Sequence, residues 1–334
     1  MRYLIVCSLV ILVILSCFKE KGNGNLRPTA DFTFTDVIDH IQLFGNPKDI
    51  GGDILTYEWV SLCDTVKIIS PNSRNPYINL PKLKDTSQVK IRLVVSNGKL
   101  SDSIDKKVTL PKYTLERIYG LGKNVSYKHS NNVNYDWYYD QYNTSLDYYN
   151  VDCGPTSVTM AAKWANENFN RTVTDVSNNF IGGKQWNSYD MISFLNQNSI
   201  NNYTINLNQI DSLQRQINLG NIAILNVLMG GIRNEENDKW HIDKFNNLNG
   251  DHYIIVKGYK IVDNLVYYEV YDPQSLGMCY DNDTLKGINR YYRGYDLNNA
   301  VNGNWPYAII VSKSQSKGLN SGVDVNKLVH KTGL

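Results

Sequence analysis

A cysteine in "VDCGPTSVTM", a histidine in "GDHYIIVKGY" and an aspartate in "YEVYDP" carry the most chemistry in this sequence. Cys153 stands at the entrance to a helical pattern, with Pro155 in its first turn, where a missing N–H removes no bond. Unpaired N–H groups and the positive end of the helix dipole stabilise a thiolate there, and the thiolate is the nucleophile. By position alone Cys153 is either that nucleophile or a small apolar residue in a core helix. A nucleophile needs a base, and the chain has five histidines. His40 falls in an N-terminal β-rich region, His129 in a joining segment, His241 in the charged stretch "NEENDKWHIDKF", read as a loop, and His330 in a polar tail. His252 differs: it leads a strongly apolar strand after a Gly-Asp turn, which sets its ring near the end of a sheet. Residues 265–271, "LVYYEVY", read as a second strand, joined to the first as a hairpin through Val262-Asp263-Asn264. The partner opposite His252 then falls between residues 272 and 275, and a small adjustment such as a bulge brings Asp272 within reach of the imidazole. A carboxylate there holds the ring's tautomer and stabilises the imidazolium. Taken singly, His252 reads as a satisfied strand-end histidine, and Asp272 as a turn residue before Pro273.

The elements that must position these groups follow from periodicity. After Cys153 the pattern has a period near 3.6, with Val158, Ala162, Ala165 and Phe169 on one stripe. "NQIDSLQRQINL" reads as a helix and "LGNIAILNVLMGG" as an internal strand. Upstream, from Pro28 to Pro111, the period is two: Ala30, Phe32 and Phe34, then Leu55, Tyr57 and Trp59, then Val89, Ile91, Leu93 and Val95 alternate with polar neighbours. Gly45-Asn46-Pro47, Gly51-Gly52-Asp53, Pro71-Asn72-Ser73 and Asn97-Gly98 punctuate them as turns. This describes an antiparallel sandwich of roughly 80–85 residues with Trp59 in its core. "GGDILTYEWVSL" and "IRLVVSNGKLSDS" resemble the PKD-type immunoglobulin-like domains, which implies a fold and an extracellular setting rather than a reaction. Such a domain has the character of a binding or spacing module, for a protein or carbohydrate surface. His40, Asp53 and Asp64 stand at no fixed spacing from a second metal-binding group and are read as solvated turn residues.

A chain of 334 residues is long for one core and favours two domains. The formal net charge of +2, without a basic block, argues against nucleic acid as a partner. Met1-Arg2-Tyr3 leads into an uncharged apolar run from Leu4 to Leu15, too short for a comfortable membrane span and suited to a secretory signal. Ile14-Leu15-Ser16-Cys17 resembles the bacterial lipobox, which implies acylation of Cys17 and attachment to a bacterial membrane, at the outer membrane or cell surface. Cleavage nearby by ordinary signal peptidase is the alternative. The division expected is a signal over 1–17, a flexible tether over 18–28, the sandwich over 29–111, a linker over 112–130, a second domain over 131–313 and a polar tail over 314–334. With Cys7 lost and Cys17 acylated, Cys63, Cys153 and Cys279 remain, so at least one thiol is free or pairs between chains.

Taken together, "DCGPTSVTMAAKW", "GDHYIIVKGY" and "YEVYDP", in this order, resemble the C39-like branch of the papain-like cysteine peptidases, over roughly Tyr135 to Ser312. This resemblance implies an α+β papain-like peptidase domain, so the fold expected for the whole chain is an all-β immunoglobulin-like sandwich followed by that domain. It makes Cys153 the nucleophile, His252 the general base and acid, and Asp272 the group that orients it. An upstream glutamine in that family helps form the oxyanion hole, and Gln141, twelve residues before the cysteine, is the match. A peptide or protein is the implied substrate, with neither metal nor organic cofactor. Trp137, Tyr138 and Tyr142 are candidates for lining a substrate groove, and packing is the alternative for each. "GLGK" at 120–123 is too short for a phosphate loop. A cell-wall amidase or peptidyl transferase on a related fold, and a surface binding protein without turnover, stand as rival readings.

Overall fold

The structure is a computed structural model that describes residues 26–143, 151–180, 186–207 and 211–313. Cys17, the segment before Leu26 and the expected tail over 314–334 lie outside the described residues. The chain divides into two compact units, Met1–Tyr113 and Thr114–Leu334.

In the first unit the strands are β1 (Phe32–Asp36), β2 (His40–Gly45), β3 (Thr56–Ser61), β4 (Ile68–Ile69), β5 (Tyr77–Asn79), β6 (Ser87–Ser96) and β7 (Ser101–Leu110). They form two antiparallel sheets, ordered β1-β2-β5-β4 and β3-β6-β7. The period-two pattern does the sorting. Val89, Ile91, Leu93 and Val95 of β6 are buried, while Gln88, Lys90 and Arg92 between them are exposed. The inward residues of both sheets meet in one apolar cluster, where Trp59 packs edge-on against Phe32 at 5.0 Å. The Trp59 indole N–H donates to the Ser73 carbonyl at 2.9 Å, so the ring is buried without an orphaned donor.

The second unit runs α1 (Leu115–Ile118), β8 (Val125–Ser130), a 3₁₀ turn at Gln141–Asn143, α2 (Cys153–Ala165), α3 (Val173–Phe180), α4 (Ser188–Gln197), β9 (Asn202–Asn206), α5 (Asp211–Asn218), β10 (Ile222–Leu228), β11 (Asp251–Val262), β12 (Leu265–Tyr271), β13 (Arg290–Arg293), α6 (Gly294–Asn302) and β14 (Tyr307–Val311). Its seven-stranded antiparallel sheet has the order β13-β12-β11-β10-β14-β9, with β8 also paired to β11. Alternate residues of β10, β11 and β14 enter two separate apolar clusters, one shared with α2 and α4, the other with α5 and α6. A sheet covered on both faces has continuous apolar strands rather than alternating ones, which is why "IAILNVL" and "YIIV" carry no polar rhythm.

Several expectations need correction. The supposed linker over 112–130 contains α1 and β8, and β8 pairs with the second half of β11 as part of the sheet. Five of its six residues are exposed, so it carries no apolar period to betray it. The apolar stripe after Cys153 is wider than a stripe: eleven of the thirteen residues of α2 are buried, because α3, α4 and the sheet surround it. Phe169 lies past the end of that helix. His241 is not on an exposed loop; it is 8% exposed and stacked between Tyr119 and Tyr280, with ring centroids 3.8 Å away on each side.

Candidate active site

One bond joins the first turns of α2 to the start of β11, and a second fixes the helix entrance to α3. The Ser157 hydroxyl, one turn after Cys153, donates to the carbonyl of Tyr253, the residue after His252, at 3.2 Å. Asp152, just before the helix, accepts from the Ser177 hydroxyl of α3 at 2.8 Å, which ties down the helix entrance. Gly154 is needed between them, since a Cβ there would stand 2.9 Å from the Trp186 Cβ. Cys153 is 8% exposed, and it lies near enough to the His252 imidazole to favour the protonated ring.

The hairpin that presents His252 turns at Asp263 and Asn264, both with positive φ (48° and 66°), as a two-residue hairpin turn requires. A register shift between Val256 and Gly258 leaves Lys257 as an extra residue, whose buried ammonium pairs with Glu269 at 2.5 Å. Beyond the shift Ile255 faces Tyr271, so Asp272 is the first residue past the end of β12. Its backbone then leaves the β12–β11 ladder, with the Asp272 N–H donating to the Gly287 carbonyl at 3.0 Å. A Cβ on Gly287 would collide with the Asp272 carbonyl, the Tyr138 hydroxyl and the Ser275 hydroxyl, so only glycine permits this close approach.

Asp272 is fully buried, and its three hydrogen-bond donors favour the carboxylate form. Its Oδ1 accepts from His252 Nε2 at 2.8 Å and from the Gln274 N–H at 2.9 Å; its Oδ2 accepts from the Tyr292 hydroxyl at 2.6 Å. Burial alone would raise the Asp272 pKa, but the His252 charge and these bonds outweigh it and hold the group below the ordinary carboxylate range. Burial likewise pushes the His252 pKa down, and the Asp272 charge and bond, together with Cys153, overcome it and raise the imidazole to about 10. With Nε2 engaged by Asp272, Nδ1 is the nitrogen left to meet the thiol. Tyr292, whose pKa is driven well up by burial and by the Asp272 charge, stays a proton donor.

The segment carrying Gln141 is fastened to the loop after Asp272. The Gln141 N–H donates to the Pro273 carbonyl at 2.7 Å, and Asp140 Oδ1 accepts from the Ser275 N–H at 3.3 Å and the Tyr142 N–H at 3.1 Å. Tyr138 donates to the Asp272 carbonyl at 2.8 Å and shares a 2.6 Å bond with the Ser275 hydroxyl. Gln141 is thus buried beside the Asp272 turn. The aromatic groove expectation needs correction: Trp137 is 1% exposed and packs 4.4 Å from Tyr271 in the core, and Tyr138 is committed to the Asp272 turn. Tyr142, 51% exposed, is the one of the three open to solvent.

Sequence reasoning did not single out Tyr292 or Asp140. Tyr292 is one of 24 tyrosines, in a four-residue strand, and nothing local marks it. Asp140, adjacent to Gln141, is buried and has its pKa raised by that burial. Among the described residues no cluster of three or more His, Cys, Asp or Glu side chains could hold a metal ion. A thiol beside an imidazole, with a buried carboxylate behind the ring, has the parts for nucleophilic acyl transfer.

Comparison with protein-family models finds no match, and comparison with curated proteins finds none. Among solved structures, the following two are distantly similar. One is a Bacillus anthracis protein described as a C39-like peptidase, matched over 57% of this chain and 100% of that one, at 14% identity and a TM-score of 0.39. The other is a nucleoside hydrolase-related hypothetical protein from Saccharophagus degradans that is associated with carbohydrate metabolism, matched over 27% of this chain and 26% of that one, at 17% identity and a TM-score of 0.23. The chain therefore spans about a quarter of the second protein's length.

Proposed function

We propose that this protein is an exported, lipid-anchored cysteine peptidase in which Cys153, His252 and Asp272 act as nucleophile, base and orienting carboxylate. The observation that carries this reading is the buried chain of hydrogen bonds from Tyr292 through Asp272 to His252, with Cys153 near enough to raise the imidazole's proton affinity. An imidazole held cationic between a carboxylate and a thiol stores the thiol proton and leaves sulfur as the attacking thiolate. Sulfur adds to a peptide carbonyl, and the carbon–oxygen π pair moves onto oxygen. The Cys153 N–H, in the first helical turn where no intrahelical acceptor exists, and the Gln141 side-chain amide receive that oxyanion. As the carbonyl re-forms, the C–N bond breaks, and imidazolium gives its proton to the departing amine. Water, deprotonated by the now neutral His252, then releases the acyl group from sulfur. Asp272 stays ionised throughout and keeps the ring in register.

The test is incubation of the wild-type chain and Cys153→Ala with a proteome-derived peptide library, followed by sequencing of the products. Cleavage by the wild type that falls at least about 10³-fold in the variant supports the reading. Equal cleavage by both, or none by the wild type with purified cell wall cut instead, overturns it. Acylation of Cys17 is tested separately, by the mass of the mature N-terminal peptide in wild type and Cys17→Ala.

A further inference from the structure

The two most exposed large apolar side chains among the described residues lie four positions apart in one loop of the first unit: Ile50 is 88% and Ile54 92% exposed. A scattered exposed isoleucine is ordinary on a soluble surface; a pair on one bonded loop calls for a partner. The loop is braced from inside. The Asp53 N–H donates to Asp49 Oδ2 at 2.6 Å, and Asp53 Oδ2 accepts from the Asn97 amide at 3.2 Å. The two carboxylates beside the isoleucines are thus engaged in the loop's own bonds. The same Asn97 amide donates to the Leu26 carbonyl at 3.0 Å, which brings a third exposed apolar residue, 43% accessible, against the loop.

Basic residues fringe this apolar tip. Arg27 follows Leu26; Lys48 pairs through its backbone with Thr29, at 2.8 and 3.0 Å; Lys99 stands two residues after Asn97; all three are exposed. The occupant follows from the chain's course. Eleven Cα steps separate Leu26 from the end of the apolar run Leu4–Leu15, a reach of at most roughly 40 Å when fully extended. Whether the N-terminal run or acyl chains on Cys17 hold the protein at a bilayer, this loop is kept within that distance of it.

We infer that Leu26, Ile50 and Ile54 insert into the interfacial region of an anionic bilayer, with Arg27, Lys48 and Lys99 at the headgroups. The inference rests on the membrane attachment in the proposed function and adds a second contact to it. A few apolar side chains with a basic fringe give weak association by themselves, and a tether supplies the local concentration that makes a weak contact persist. The consequence is orientation: the N-terminal end of the first unit faces the lipid.

The test places a fluorophore at the tip. The full chain carrying Ile54→Trp is reconstituted with vesicles of phosphatidylethanolamine and phosphatidylglycerol, with and without bromine on the acyl chains, beside the wild-type chain as the reference for the native tryptophans. Flotation reports attachment, and the emission of the added tryptophan reports insertion. The expected result is flotation of both chains and a fall of more than about twofold in the added emission on brominated lipid. Ile50→Asn in the Ile54→Trp chain, and separately Lys48→Glu with Lys99→Glu, should restore most of it while flotation persists. If the chain floats and the added tryptophan is unquenched, the loop contact is overturned and the anchor survives; a protein or glycan would then be the loop's partner. If the chain does not float, the anchor and the loop contact fall together.

Discussion

Two buried histidines in the second unit occupy opposite electrostatic environments. His252 is 2% exposed and His241 8%, so loss of solvent pushes both towards the neutral form. Around His252 the neighbours are a carboxylate and a thiol, and its pKa rises to about 10. Around His241 the charged neighbours are Arg290 and Lys286, which add to burial and bring its pKa down to about 4. Arg290 itself is fully buried and clamps the 235–243 segment through the Trp240, Ile242 and Asp243 carbonyls and Glu235. His241 therefore behaves as a flat aromatic spacer between two tyrosines, and His252 as a stored proton. Burial pushes both rings towards the neutral form; the sign of the charge placed next to each decides which one holds its proton.

The contrast breaks most completely if the carboxylate is neutralised. Asp272→Asn should lower the His252 pKa below its ordinary 6.5, read by its imidazole resonances, and reduce peptide hydrolysis by about 10⁴-fold. An unchanged His252 titration near 10 in that variant would remove Asp272 from the account. A smaller effect is expected one step further out. Tyr292→Phe leaves Asp272 Oδ2 buried without its donor, which should cost about 1–3 kcal/mol in urea unfolding. It should also shift the acid limb of activity to higher pH, because the carboxylate form is less favoured. A variant that loses stability with an unmoved pH profile would make Tyr292 a packing residue only.

The two histidines should also tilt stability in opposite directions with pH. His252 binds its proton more tightly folded than unfolded, so its contribution is complete below about pH 6.5 and disappears as pH rises towards 10. His241 binds its proton less tightly folded, so its contribution is complete above about pH 6.5 and disappears as pH falls towards 4. His241→Gln should flatten the acid side of the unfolding profile, leave the alkaline side alone, and change hydrolysis by less than about twofold. Loss of hydrolysis in a folded His241→Gln protein would erase the distinction drawn between the two sites.

Tyr142→Ala sets the smallest expected effect. As the exposed aromatic beside Gln141, it should raise KM a few-fold with little change in kcat, as removal of uniform binding does. A fall in kcat alone would instead implicate the Gln141 turn.

The parts of the site differ in how far they could be read along the chain. Cys153 was legible because a proline in the first turn and an apolar run after it mark a helix entrance. His252 stood out because the other four histidines occupy visibly different contexts. Asp272 came within range by counting residues round a hairpin, and the shift at Lys257 is the kind of adjustment that count needed. Tyr292 was invisible, since its part is set by a strand twenty residues further on whose pairing no local pattern specifies. Trp137 and Tyr138 show the reverse error: aromatic type announces a large contact area and says nothing about which side of the backbone it faces. The edge strand β8 reads as a linker in the sequence because its exposed residues have no reason to alternate.

Composition and periodicity, by themselves, established a β-rich N-terminal region, a helix opening at Cys153, and a strand opening at His252, because these depend on interactions within a few residues. Which groups meet, and what charge each one feels, came only from the folded sheet. The free energy of a buried proton depends on neighbours within a few ångströms, and those neighbours are contributed from positions 99 and 20 residues apart in the chain.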